Sequence, residues 1–244
     1  MKQKGTPNAS VGKVIQYKLN DGQWQTWDLS AVTLHDGDKM YLKSDDTIPM
    51  SESDEYNEYN ETYTYKQFSM YGDGSIAASG NIMSLLNFSD TLTDYAFYRL
   101  FKDCSSLTQA PELPATTLAE GCYSYMFSGC DSLTQAPVLP ATTLTKECYS
   151  HMFYIANKLN WIKALFTGRY MSEWTKNWVN GVSAQGVFVK NINATWTTTG
   201  SYAVPTGWKV IYFDQTEGKY YTTNTKEVEC DQYGNVKQET DAMY

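Results

Sequence analysis

The chain has little with which to do chemistry. Its 244 residues include two His and five Cys, too few to suggest a metal centre or a histidine-dependent active site. Basic residues are in deficit: 19 Lys+Arg against 27 Asp+Glu leave a net charge of -8, the wrong sign for a phosphate backbone, so no nucleic-acid partner is expected. No apolar run approaches the roughly 20 residues of a membrane helix, and no membrane span is expected. The opening stretch MKQKGTPNASVGKV lacks the apolar centre of a secretory signal. No G-x-G-x-x-G, P-loop or H-E-x-x-H string occurs. What is abundant is aromatic: 20 Tyr, nine Phe and seven Trp make up 15% of the chain against 19% charged residues. Such a balance suits a β-rich surface protein better than a helical cytosolic enzyme. The length allows one large domain or a few small ones, and 42% apolar residues suffice for a core.

Internal repetition is the dominant feature. SLTQAPELPATTLAEGCYSYMF, from Ser106 to Phe127, aligns without gaps on SLTQAPVLPATTLTKECYSHMF, from Ser132 to Phe153, at a spacing of 26. Leu107, Leu133 and Leu159 form one ladder and Phe101, Phe127 and Phe153 another. Cys104 matches Cys130, Cys122 matches Cys148, and Pro111 and Pro114 match Pro137 and Pro140. Within each copy the prolines hold an extended segment after a short strand through Leu107 or Leu133. Thr117 to Glu120 then reads as a capping box, and Leu118, Cys122, Met126 and Cys130 recur at spacing four, which predicts one apolar face of a helix. Lys146 stands in place of Glu120 in the second copy, so that helix lacks the box. Phe97 to Phe101 reads as a degenerate helix of the same kind, and Ser172 to Val182 as a capping helix with Trp174 and Trp178 on one face.

The flanks differ in character. Val14 to Leu19 and Gln23 to Trp27 alternate on either side of Asn20-Asp21-Gly22, a hairpin signal, and Lys39 to Lys43 reads as a further strand. Val187 to Val189 and Trp208 to Ile211 read as strands, with later hairpins at Glu217-Gly218 and Tyr233-Gly234-Asn235. The predicted class is α+β: a short leucine-rich-repeat solenoid of 26-residue units between an N-terminal antiparallel β unit and a β-containing C-terminal cap. The expected segments are 1–70 (β unit with an exposed acidic, Tyr-rich loop), 71–166 (repeats with their lead-in), 167–211 (cap) and 212–244 (polar hairpin-like tail).

Candidate chemistry thins out when each group is set beside its neighbours. Four of the five Cys occupy ladder positions on the apolar face, where buried free thiols are expected over disulfides. Cys148 and His151 are spaced as a nucleophile and base on one helical turn, yet His151 takes the register of Tyr125 and Arg99, so the chain itself varies that position. Asp36-Gly37-Asp38, Asp45-Asp46 and Asp73-Gly74 lack the ligand spacing of a calcium loop and read as turns. No catalytic residue, metal site or cofactor is therefore predicted. The residues placed to touch a partner are Tyr125, His151, Gln109 and Gln135 in the repeats, with Tyr56 and Tyr59 in the acidic loop, since tyrosine gives large contact area at low entropic cost.

The unit CSSLTQAPELPATTLAEGCYSYMF resembles the bacterial-surface leucine-rich repeat of the BspA type, found in gut Bacteroidetes. Ser79 to Leu86, Trp161 to Phe166 and Val204 to Trp208 resemble that family's flanks, so the likeness covers roughly residues 10–210. It implies an extracellular, surface-exposed, non-enzymatic scaffold that recognises protein or surface glycan; homo-oligomers are expected if the chain is a virion component. Together with the absent signal, it leads to two expectations: a phage virion component (head fibre, decoration or tail-associated), or a Bacteroidetes cell-surface adhesin.

Overall fold

A computed structural model describes residues 2–4, 13–28, 30–51, 67–70, 74–168 and 172–236. Twelve short strands lie among them: β1 (Lys2–Lys4), β2 (Gln16–Leu19), β3 (Gln25–Thr26), β4 (Met40–Lys43), β5 (Gln67–Ser69), β6 (Ile76–Ala77), β7 (Leu107–Gln109), β8 (Trp161–Ala164), β9 (Val187–Asn191), β10 (Lys209–Asp214), β11 (Lys219–Tyr221) and β12 (Glu229–Cys230). One five-residue 3-10 helix, Ile82–Leu86, is capped by the Asn81 side chain, which accepts from the Met83 N–H. The strands form small sheets: β3-β2-β4 antiparallel, β1 with β5, β6 with β7, and β12-β11-β10-β9-β8, in which β8, β9 and β10 run parallel.

The expected α+β class, and with it the helical leucine-rich-repeat solenoid, is overturned. Among the described residues there is no α-helix, and none is long and apolar enough to cross a membrane. The segments expected to be helical are ribbons of consecutive turns. In them Tyr95, Arg99 and Asp103, then Gly121, Tyr125 and Gly129, then Glu147, His151 and Ile155, then Asn177 and Gly181 all take positive φ, mostly between 51° and 60°. A left-handed residue every fourth position is incompatible with an α-helix. Spacing four is thus the period of the turn ribbon, which imitates one turn of helix in the sequence.

The hydrogen bonds show why this backbone is stable. Alternate N–H groups turn inward: those of Cys122, Ser124, Met126, Ser128 and Cys130 reach the carbonyl three residues back. The intervening ones, from Gly121, Tyr123, Tyr125, Phe127 and Gly129, reach carbonyls 25 residues ahead, on Lys146, Cys148, Ser150, Met152 and Tyr154. Residues 95–103 bond onto 120–128 in the same way, and 149–155 onto 174–180. Four tiers are thereby stacked, and each interface is a row of backbone bonds worth about 0.5–1.5 kcal/mol apiece. The capping box does not form: the Glu120 carboxylate accepts from Tyr95 Oη at 3.1 Å and Lys146 Nζ at 2.7 Å, linking three tiers. The segment 172–182 is a fourth tier rather than a capping helix, with Trp178 fully buried and Trp174 half-buried.

Side chains repeat with the backbone. Phe101, Phe127 and Phe153 stack at 5.6 and 5.8 Å, while Phe97, Tyr123 and Tyr149 stack at 5.9 and 6.1 Å. Trp27 and Phe68 extend the first column upstream and Trp178 closes both downstream. One apolar cluster runs from Ile15 to Trp208. The outer face of the five-stranded sheet holds a second, small one of Trp161, Val189, Ile211 and Cys230. Each face of that sheet also buries a lysine. Lys163 Nζ lies 3.2 Å from the Phe213 ring centroid and donates to Tyr220 Oη at 3.0 Å; Lys190 Nζ donates to the Trp196 carbonyl at 2.6 Å.

Candidate functional site

Of the residues placed to touch a partner, the structure brings two together. Tyr125 and His151 are offset by one repeat and stack with centroids 4.4 Å apart and planes 2° from parallel. Two further residues of the same register complete a column. The Arg99 guanidinium lies 5.1 Å from the Tyr125 centroid on one side, and Asn177 Nδ2 lies 3.2 Å from His151 Nε2 on the other. All four are half-buried and left-handed, with φ of 58°, 56°, 54° and 51°. Tyr98 meets Tyr125 edge-on at 5.9 Å, and Tyr154 meets His151 at 5.6 Å.

Local bonding sets the protonation of His151. With the Asn177 amide in this orientation its nitrogen donates to Nε2, which places the proton of the neutral ring on Nδ1, 2.9 Å from Ser150 Oγ. Burial, followed by the charge of Lys176, holds the imidazole below its ordinary value and hence neutral at pH 7. Protonating Nε2 requires Asn177 to turn its amide. The column is thus a ladder with a cationic head, two flat rings and an amide foot, presenting ring edges rather than faces.

The remaining candidates are elsewhere or inert. Gln109 and Gln135 are exposed on the strand side of their tiers, Gln109 in β7 and Gln135 bridged to Trp161. Tyr56 and Tyr59 lie outside the described residues. All five Cys are free and buried. Desolvation pushes the Cys148 thiol up to about 11 and that of Cys104 to about 12, far from a reactive thiolate. Cys104 and Cys130 instead donate their thiols to the Phe68 and Phe101 carbonyls, each at 3.1 Å. Among the described residues no three metal-ligating side chains converge. Asp38 is occupied by Asn20 and the His35 N–H, and Asp46 by Lys13 at 2.8 Å.

Sequence reasoning missed Arg99 and Asn177 as members of the site. Carrying the spacing of 26 one step in each direction from Tyr125 and His151 reaches both, although the apolar ladders fade there. No family model, curated protein or solved structure matches the chain.

Proposed function

We propose that this protein is a non-enzymatic recognition and structural component displayed at a surface, that of a phage virion in the first place. In this reading the column of Arg99, Tyr125, His151 and Asn177 contacts a protein partner. The observation that carries it is the contrast between registers of the stack. The Phe101 register keeps Phe in three tiers and the Cys122 register keeps Cys in two, whereas the half-buried register of the column changes from Arg to Tyr to His to Asn. A frame with constant interior and varied rim is what a recognition scaffold requires, and a column rich in Tyr, Arg and His has the composition of an interface centre. The BspA-type likeness supports the same class of role and carries the second reading, a cell-surface adhesin for protein or glycan.

Mass spectrometry of purified phage particles, with cross-linking to neighbouring proteins, tests the first reading. The chain is expected among the particle proteins, with cross-links from Lys102 or Lys176 beside the column. Its absence from particles, together with recovery from the outer surface of bacterial cells, would decide for the adhesin.

A further inference from the structure

A second surface lies on the antiparallel sheet of β2, β3 and β4. Its inner side sends Tyr17, Met40 and Leu42 against the core. Its outer side carries Trp24 just ahead of β3 and Tyr41 in β4, 41% and 43% exposed. Two cations stand between them. Lys18 Nζ is 4.7 Å from the Tyr41 centroid and 5.6 Å from that of Trp24, and Lys43 Nζ is 5.0 Å from Trp24. Lys18 and Tyr41 are direct cross-strand neighbours, so the arrangement is built by the sheet register and not by a loop. Lys43 shares its charge with exposed Asp45 at 3.2 Å; among the described residues Lys18 has no carboxylate within bridging distance. On a chain of net charge -8, a lysine held over two exposed rings with no ion pair among the described residues is a group suited to an acidic ligand.

We propose that this face binds a uronate-bearing oligosaccharide, with Trp24 and Tyr41 as platforms for the C–H faces of the sugars and Lys18 and Lys43 as partners of the carboxylates. Indole and phenol rings supply flat apolar area at little entropic cost, and the ammonium groups select for acid. The participating groups all stand on the face of the sheet. The contacts offered are therefore flat rings and ammonium groups rather than the backbone edges of β3 and β4 that an added peptide strand would use, and they match the C–H faces and carboxylates of an acidic saccharide. The site is separate from the Arg99 column and does not depend on its role.

Titration of the full chain with a hyaluronan hexasaccharide, followed by tryptophan fluorescence and calorimetry, tests the proposal. Trp24 is the most exposed of the seven indoles, so ligand at this face is expected to change the emission. Cellohexaose is expected to bind at least tenfold more weakly than the acidic sugar. Trp24→Ala and Tyr41→Ala are each expected to weaken binding at least tenfold, and Lys18→Gln to remove most of the preference for acid. Because Trp24 and Tyr41 are exposed, their alanine variants should keep the parent melting temperature, and Lys18→Gln, which removes no ring, provides a readout independent of folding. The proposal fails if the hexasaccharide does not bind at millimolar concentration, if cellohexaose binds equally well, or if Trp24→Ala and Lys18→Gln bind as the parent does. Equal affinity for a poly-glutamate peptide would also overturn it, in favour of an acidic protein partner.

Discussion

Tyr123 shows how strictly the stack disciplines single residues. It is 1% exposed, sandwiched between Phe97 and Tyr149, and its hydroxyl finds no hydrogen-bond partner among the described residues. A buried hydroxyl without a partner costs stability, and the ring alone does the packing. Tyr123→Phe is therefore expected to raise stability by about 1 kcal/mol, read as a higher denaturant midpoint at unchanged slope. His151 works in the opposite sense. Its folded pKa lies below that of the unfolded chain, so the unfolded chain takes up protons first as pH falls. The stability associated with neutral imidazole is present above about pH 6.5 and is lost as the pH drops through the folded value. His151→Tyr, which copies the residue of the preceding tier, is expected to flatten the dependence of melting temperature between pH 7 and 5; an unchanged slope would mean that the ring is solvated rather than stacked.

At the scale of elements, the turn ribbon and the five-stranded sheet make different demands. Gly121 has φ of 57°, but the equivalent Glu147 has φ of 55° and carries a side chain, so positive φ alone does not require glycine here. The requirement comes from the neighbouring tier: a Cβ on Gly121 would run into the Tyr95 ring. Gly121→Ala is expected to cost about 1–3 kcal/mol through overpacking, and adding Tyr95→Ala should recover part of that loss in a double-mutant cycle. In the sheet, burial lowers the Lys163 ammonium to about 8, and no carboxylate compensates it among the described residues. An unfolded lysine titrates near 10.4, so between the two values the unfolded chain holds more protons and stability rises with pH. Below pH 8 the whole penalty for the buried charge is present. Lys163→Met is expected to melt higher than the parent at pH 7, with the gap narrowing as the pH is raised from 8 to 10; a gap independent of pH would refute the buried-charge argument.

The same elements show what the sequence can and cannot disclose. The repeat spacing, the Phe and Cys ladders, the hairpin around Asn20 and the strands near Val187 and Trp208 follow from pattern, because burial and turn chemistry act on local residues. The turn ribbon does not, since Leu118, Cys122, Met126 and Cys130 satisfy a helical face and a four-residue turn period equally well. What separates the two is where the alternate N–H groups find acceptors, 25 residues away, and no local pattern records that. Tyr125 and His151 were accessible as a pair through the repeat. Arg99 was legible in their register but not counted as a contact residue, Asn177 was obscured by the decay of the apolar ladders, and the Trp24 face by the ordinary look of its alternation.

For the whole molecule, one continuous core from Ile15 to Trp208 joins the N-terminal sheet, the stacked tiers and the parallel strands. All five thiols lie inside this framework or in the small cluster beside it. The native protein is expected to leave every Cys unreacted toward a chromogenic disulfide reagent, to release five equivalents only on unfolding, and to melt at the same temperature with and without reductant. Fast modification of any thiol in the folded state would contradict the burial described.

The alternation of N–H groups between a carbonyl three residues back and one 25 residues ahead has a consequence for how such a chain can change length. Adding or removing one residue within a tier would reverse which donors face inward and bring left-handed positions against the wrong neighbours. Removal or duplication of a full 26 residues would restore every bond. The strings SLTQAP and LPATTL each occur twice at that offset. Unequal recombination between their coding sequences would therefore lengthen or shorten the stack by whole tiers, changing how many side chains its rim displays while leaving the interior rule intact.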